Sequence, residues 1–185
     1  EHPDYKGTEE FNYFLSVLFP EEELRILPYN RVVADLNGES PADLLLALDQ
    51  AFTIRDNGET VPTPGKKGEV GMYLDGHWYA LCVREELREE DPVEGLDVSF
   101  LQNLVLAPLL GIEDPRTSER IRFIGGIRGS EELKRLVDQK GGVAFLMYPT
   151  QMEELLSVAD AGLLMPPKST WFEPKLRSGL FIHTL

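Results

Sequence analysis

The residues best suited to chemistry lie near the end of the chain, in the segment MPPKSTWFEPKLR (165–177). Its three prolines restrict the backbone and so lower the entropy that is lost when a ligand is bound. Its lysines and its arginine can donate charged hydrogen bonds to phosphate or carboxylate, and its hydroxyl groups can donate neutral ones. The segment therefore predicts an anion-binding loop. The predicted ligand-binding residues are Lys168, Ser169, Thr170, Lys175 and Arg177.

Another interpretation of this loop stays open. It could be a rigid surface loop whose cations pair with the acidic remainder of the chain, since such ion pairs are common on acidic surfaces. Polar residues in rigid loops are often functional, which favours the binding interpretation.

Two further arginines could contribute to the same site. Arg31, in LPYNRVV, follows an extended apolar run, from which it could reach a pocket or pair with a carboxylate. Arg128, in FIGGIRGSEEL, belongs to a glycine turn ahead of Ser130, a predicted helix cap, and turns of this kind can approach phosphate. The pattern matches neither G-x-x-x-x-G-K-[ST] nor G-x-G-x-x-G, so ordinary turn glycines are the alternative.

The sequence predicts no metal site and identifies no catalytic residue. The three histidines are far apart, and the chain contains neither HExxH nor paired CxxC motifs. It also lacks the G-x-S-x-G motif of serine hydrolases. Cys82 lies among alternating apolar residues, which predicts a buried strand thiol rather than a catalytic one.

Net charge limits the class of partner. The chain carries −14 at pH 7, and residues 1–115 alone carry −16, whereas the last 25 residues carry +2. Duplex DNA is bound mainly by neutralising its phosphates, so nucleic acid is disfavoured as a partner of this chain. A small anion in a local basic pocket remains compatible with this charge.

The longest apolar runs are far shorter than the ~20 residues that span a bilayer, and the start of the chain has no signal-peptide pattern. A cytoplasmic protein without membrane contact is expected.

The elements that must position these residues mix strands and helices. FNYFLSVLF (11–19) predicts a buried strand, and Ser40 followed by Pro41 predicts the start of a helix. EVGMYLDGHWYALCVR predicts a hairpin, because Asp75-Gly76 favours the positive φ values of a type I′ turn.

Helix and strand signals alternate in the second half. Asp97 and Ser130 predict helix caps, and Thr150 with Glu153 predicts a capping box. GLFIHTL (179–185) predicts a closing strand. Together the elements predict an α+β fold with a mixed sheet and packed helices, sandwich-like, in a single compact domain over residues 1–185.

Several segments resemble a known family. LRILPYNRVV, LDVSFLQNLVLAPLLGIEDPR, FIGGIRG and above all MPPKSTWFEPKLRSGLF are similar to a widespread prokaryotic family of unassigned function, the domain-of-unknown-function family 1015, often labelled ParB-like. The resemblance runs from Phe11 to Leu185. Its members usually carry an amino-terminal part that resembles the ParB/sulfiredoxin fold and ends in D-G-H-H-R, a motif absent here. The resemblance thus implies the carboxy-terminal portion of a longer protein.

The resemblance also carries functional expectations by fold-level analogy. Related folds include free-serine kinases, in which a G-x-x-R-type motif holds nucleotide phosphate. The first expectation is the anion-binding half of a small-molecule phosphotransferase or sensor, with a nucleotide as a cofactor of the full-length protein. The alternatives are a ParB-like nucleic-acid-binding or partition-related regulatory module, and a structural or dimerisation domain in which Trp171 forms an interface between copies. Whether the protein is an enzyme stays open.

Overall fold

A computed structural model describes residues 6–175, 177 and 179–184. The chain divides into two compact units, one holding the chain up to Arg25 and from Phe172 on, the other holding Ile26–Trp171. The single domain predicted over residues 1–185 stays a prediction. Among the described residues, no helix is long and apolar enough to cross a membrane.

Within the described part of the chain, eight strands and four α-helices make up the fold. The strands are β1 Arg25–Leu27, β2 Tyr29–Val33, β3 Phe52–Gly58, β4 Glu69–Leu74, β5 His77–Val83, β6 Ile121–Gly125, β7 Val143–Met147 and β8 Trp171–Glu173. The helices are α1 Pro41–Leu48, α2 Asp97–Leu101, α3 Gly129–Lys140 and α4 Met152–Asp160. Six strands form one sheet in the order β3-β5-β4-β7-β2-β6, and β1 and β8 form a two-stranded sheet.

The predicted α+β class is confirmed, but the six-stranded sheet is antiparallel at every neighbouring pair rather than mixed. Among the described strands, the sheet contains no parallel neighbours at this end because β2 lies between β6 and β7. Both β6 and β7 pair antiparallel with β2, so they run in the same direction with β2 between them. Helix α3 connects β6 to β7, which makes a split β-α-β unit.

Local signals located most elements correctly. Ser40 caps α1 by accepting a hydrogen bond from Asp43 N (3.2 Å), and Pro41 is the first helical residue. Asp75 and Gly76 have φ values of 49° and 84°, as the predicted β4–β5 hairpin turn requires.

The other predicted caps were wrong in their details. Leu96, not Asp97, occupies the N-cap position of α2, and neither α2 nor α3, which begins at Gly129, has a side-chain cap. The capping box of α4 uses Gln151 and Glu154, one residue later than predicted. The Thr150 hydroxyl instead donates to a backbone carbonyl in another loop.

The sheet is covered by apolar side chains on both faces, which agrees with the predicted sandwich-like packing. One face packs with α1 and α2 through residues such as Leu44 and Leu101. The other face packs with α3 through Leu133, Leu136 and Val137.

Both strands predicted near the chain ends were wrong among the described residues. Residues 13–19 form no strand, and Phe14 and Leu18 are 86% and 92% exposed. Residues 179–184 form no strand either, and Leu185 lies outside the described residues. The composition of both segments suits a strand, but a strand also needs a neighbouring strand to satisfy its backbone, and composition does not supply one.

Candidate functional site

Five segments meet at one end of the six-stranded sheet. The register places Tyr29 of β2 beside Gly125, the last residue of β6, and β7 ends at the same level. Helix α3 begins directly after the turn that follows β6. The loop 166–170 joins this end, since Arg31 Nη2 donates to Lys168 O (3.2 Å) and Thr150 Oγ1 donates to Ser169 O (3.1 Å).

Arg31 is the most unusual side chain at this end. It is only 3% exposed, and burial lowers the pKa of its guanidinium to about 10. Its guanidinium donates to the carbonyls of Tyr29 and Lys168 and lies 5.6 Å from the centre of the Phe123 ring. It forms no ion pair with any residue that the structure describes. A buried charge without a counter-ion is costly, because the protein interior solvates it poorly.

A cavity of about 380 Å³ opens onto Arg31. It lies between β2 and β6, the helical segment from α2 onward and the loops at 113–116 and 166–167. Its lining includes Arg31, Phe123, Val98, Gln102, Glu113 and Pro166. This volume is in the range of small-molecule sites, and it falls wholly within the larger unit.

An irregular helical turn forms one wall of this cavity. Residues Gln102–Leu106 continue α2 as a π turn, with Ala107 N donating to Gln102 O (3.0 Å). Turns of this type are frequent at functional sites. Gln102 Nε2 donates to Ile112 O (2.8 Å), whereas Gln102 Oε1 is buried with no donor among the described residues. This wall was not predicted from the sequence.

Some charged residues of the cavity lining form ion pairs with each other, and others do not. Arg116 Nη2 lies 2.8 Å from Asp114 Oδ2, and the hydrogen bonds from Arg116 lower the pKa of Asp114 to about 2. These two residues neutralise each other. Glu94 Oε2 accepts a hydrogen bond from Asn103 Nδ2 (2.7 Å), and neither Glu94 nor Glu113 forms an ion pair with a described residue.

The residues predicted to bind an anion in the loop 166–170 differ in exposure and in their contacts. Lys168 is exposed, and its Nζ lies 5.7 Å from the centre of the Tyr29 ring. Ser169 is 4% exposed, and its hydroxyl donates to Pro166 O (2.8 Å), so it stabilises the loop itself. Thr170 is half-buried. The structure thus brings Arg31 together with the backbone carbonyl of Lys168.

The remaining predicted residues are Arg128, Lys175 and Arg177. Arg128 is exposed in the turn after β6, at the same end of the sheet. Lys175 and Arg177 are exposed and belong to the smaller unit.

The glycines before Arg128 allow close packing. A Cβ on Gly125 would lie 2.3 Å from Cζ3 of Trp171, and a Cβ on Gly126 would lie 2.9 Å from Pro28 O. Trp171 also packs against Tyr29, with 5.1 Å between the ring centres. These contacts favour the interpretation of ordinary turn glycines.

Comparison with known proteins assigns a family. Residues 1–99 match the family described as Protein of unknown function (DUF1015). The chain belongs to this family. The DUF1015 match includes Arg31, and the cavity residues Phe123 and Pro166 lie beyond it. No curated protein matches the chain.

Several solved structures are similar to this DUF1015 chain at low identity. A free serine kinase mutant in complex with AMP is 10% identical with a TM-score of 0.49, and a free serine kinase in complex with AMP is 11% identical with a TM-score of 0.46. A free serine kinase mutant in complex with ADP is 10% identical with a TM-score of 0.47. Each match covers 82% of this chain and 55% of the kinase chain, so the chain spans about half the length of these proteins.

Proposed function

We propose that the unit Ile26–Trp171 binds a small anionic molecule, through a phosphate or carboxylate group, in the cavity at Arg31. In this proposal the unit is the binding half of a small-molecule phosphotransferase or sensor. One observation carries the proposal: Arg31 is a buried guanidinium in the cavity wall that forms no ion pair with a described residue. A ligand anion would supply the missing counter-charge.

The surroundings of Arg31 suit this role. The carbonyls of Tyr29 and Lys168 hold the guanidinium in place, and a guanidinium has more N–H groups than these two carbonyls use. The ring of Phe123 supports it from one side. A cation that is already desolvated and oriented loses little further entropy or hydration when an anion binds.

The other predicted cations would have secondary roles. Lys168 is at the same end of the sheet, where its flexible side chain adds positive potential. Arg128, Lys175, Arg177 and the hydroxyl of Thr170 stay predicted contacts. Phosphoryl transfer requires mainly positioning and charge stabilisation, which a cavity of this kind could provide with a nucleotide. The likeness to free serine kinases, with TM-scores below 0.5, adds no argument for that reaction.

Calorimetric titration of the protein with inorganic phosphate and with hexanoate tests the proposal. Replacing Arg31 by methionine keeps an unbranched side chain that can fill the apolar part of its place, and it removes the charge. We expect the variant to lose at least about tenfold in affinity, because a charged hydrogen bond to an anion contributes about 1.5–3 kcal/mol.

Arg122→Met is the matched control, since Arg122 is an exposed arginine on β6 that does not line the cavity. This variant should keep wild-type affinity. Circular dichroism would show whether each variant is folded. The proposal fails if the wild-type protein binds neither anion, or if folded Arg31→Met protein binds them as tightly as the wild type.

The two alternatives from the sequence stay predictions. No described feature specifically favours nucleic-acid binding over the cavity. Trp171, the residue considered for an interface between copies, is half-buried against Gly125 and Tyr29 within the larger unit.

A further inference from the structure

On the basis of the proposed anion site, we infer that the ligand of the Arg31 cavity is a zwitterion. It would carry a protonated amine as well as its anionic group, joined by a short apolar chain. Amino acids with aliphatic chains, with the amine at the α or the ω position, belong to this chemical class.

The charges that remain after internal pairing carry this inference. The pair of Arg116 and Asp114 is neutral, which leaves one buried cation, Arg31, and two exposed carboxylates, Glu94 and Glu113, in the same lining. A ligand with only negative charge would gain from Arg31 and be repelled by both glutamates. A ligand with charges of both signs can be attracted by both parts of the wall.

Hydrogen-bonding groups of the cavity lining indicate that the ligand carries a hydrogen-bond donor. Gln102 Oε1 is a buried acceptor that no described residue satisfies. Leaving a buried acceptor unpaired costs about 1–3 kcal/mol, and Gln102 is one of the residues that line the cavity, so a donor on the ligand is favoured beside this wall. Glu94 already accepts from Asn103 through Oε2, and its other oxygen makes no described hydrogen bond. The second carboxylate oxygen of Glu94 is therefore available to a donor on the ligand.

The lining of the cavity also includes apolar side chains, among them Val98, Leu106 and Phe123. Apolar side chains beside charged groups favour a ligand that carries carbon atoms as well as its two charges. Inorganic phosphate and compact polyanions do not have this form.

Three ligands with the same six-carbon chain test the inference. Hexanoate carries the carboxylate alone, norleucine adds an α-amine, and ε-aminocaproate adds the amine at the far end. We expect norleucine or ε-aminocaproate to bind up to about fivefold more tightly than hexanoate in calorimetric titrations at low salt, since a partly exposed ion pair contributes up to about 1 kcal/mol. The preference should shrink as salt is added.

The double variant Glu94→Gln/Glu113→Gln should abolish this preference and leave hexanoate bound as tightly as before, or more tightly. Glutamine keeps a carbonyl oxygen for the contact with Asn103. The control is Glu90→Gln/Glu153→Gln, which removes two exposed carboxylates outside the cavity lining and should keep the preference.

The outcomes separate this inference from the proposed function. Equal binding of all three ligands, with loss of all binding in Arg31→Met, overturns the zwitterion and leaves the anion site intact. A preference for the amines that survives in Glu94→Gln/Glu113→Gln also overturns the inference. Binding of none of the three ligands, nor of phosphate, overturns both.

Discussion

Asp97 provides a sharp test of the physical reasoning, because its burial has a measurable cost. It is the first residue of α2, and its Oδ1 accepts a hydrogen bond from Gly68 N (2.7 Å). Loss of hydration on burial raises the pKa of its carboxyl group from its usual 3.8 to about 6, although the Gly68 hydrogen bond opposes this change. The folded protein therefore binds this proton more tightly than the unfolded chain does.

The sign and size of the effect on stability follow from this difference. Below pH 3.8 the carboxyl is protonated in both states. As the pH rises towards 6, the unfolded chain releases the proton first, so the free energy of unfolding falls. Above pH 6 the loss is complete. It amounts to about 3 kcal/mol, since each tenfold change in the dissociation constant corresponds to about 1.4 kcal/mol.

Replacing Asp97 by asparagine should remove this cost. The asparagine Oδ1 can still accept the Gly68 hydrogen bond, and nothing at this position ionises. We expect the variant to be more stable than the wild type by about 2–3 kcal/mol at pH 7 and by only about 0.6 kcal/mol at pH 4. Urea unfolding of both proteins between pH 4 and pH 8 measures the difference.

Asp91→Asn is the control for this experiment. Asp91 is exposed, and hydrogen bonds from Glu94 N and Val93 N lower the pKa of its carboxyl group. Its replacement should give no gain in stability at pH 7. An Asp97→Asn protein less stable than the wild type at pH 7, or a difference that is the same at pH 4 and pH 7, would refute the reasoning.

Two further predictions concern packing and a buried hydrogen bond. Gly125→Ala should lower the free energy of unfolding by about 1–3 kcal/mol, because its Cβ would overlap the Trp171 ring. Gly65→Ala is the control, since a Cβ there has ordinary contacts, and it should change the free energy of unfolding by less than about 0.5 kcal/mol. Urea unfolding measures both effects, and equal effects of the two substitutions would contradict the prediction. Asn30→Ala should cost about 1–3 kcal/mol, because Asn30 Oδ1 accepts from Met147 N (3.0 Å) in the buried sheet. Hydrogen exchange at the Met147 amide should accelerate in that variant, and unchanged exchange would show that this hydrogen bond is dispensable.

Much of the fold followed from local signals in the sequence. The start of α1 at Ser40-Pro41 and the hairpin turn at Asp75-Gly76 depend on the conformational preferences of adjacent residues. Such preferences act within a few residues, so one sequence is enough to predict them. The family was also predicted from the sequence, and the match over residues 1–99 confirms it.

Predictions that required a distant partner succeeded less well. Residues 11–19 have the composition of a strand and form none from Tyr13 onward, because pairing depends on a neighbouring strand. Thr150 was expected to cap α4, yet its hydroxyl donates to Ser169, 19 residues away. The sequence shows which residues can make a hydrogen bond, but the tertiary structure decides which partner they meet.

The candidate site shows the same division. The sequence by itself determined that cations and hydroxyls gather in a proline-rich loop, and that Arg31 and Arg128 are further donors on an acidic chain. Only the tertiary structure buries Arg31 without an ion-pair partner among the described residues. It also brings the Arg31 guanidinium to the carbonyl of Lys168, 137 residues away in the sequence. The loss of hydration that makes this guanidinium a candidate anion site depends on the whole packed end of the sheet, and no local pattern encodes it.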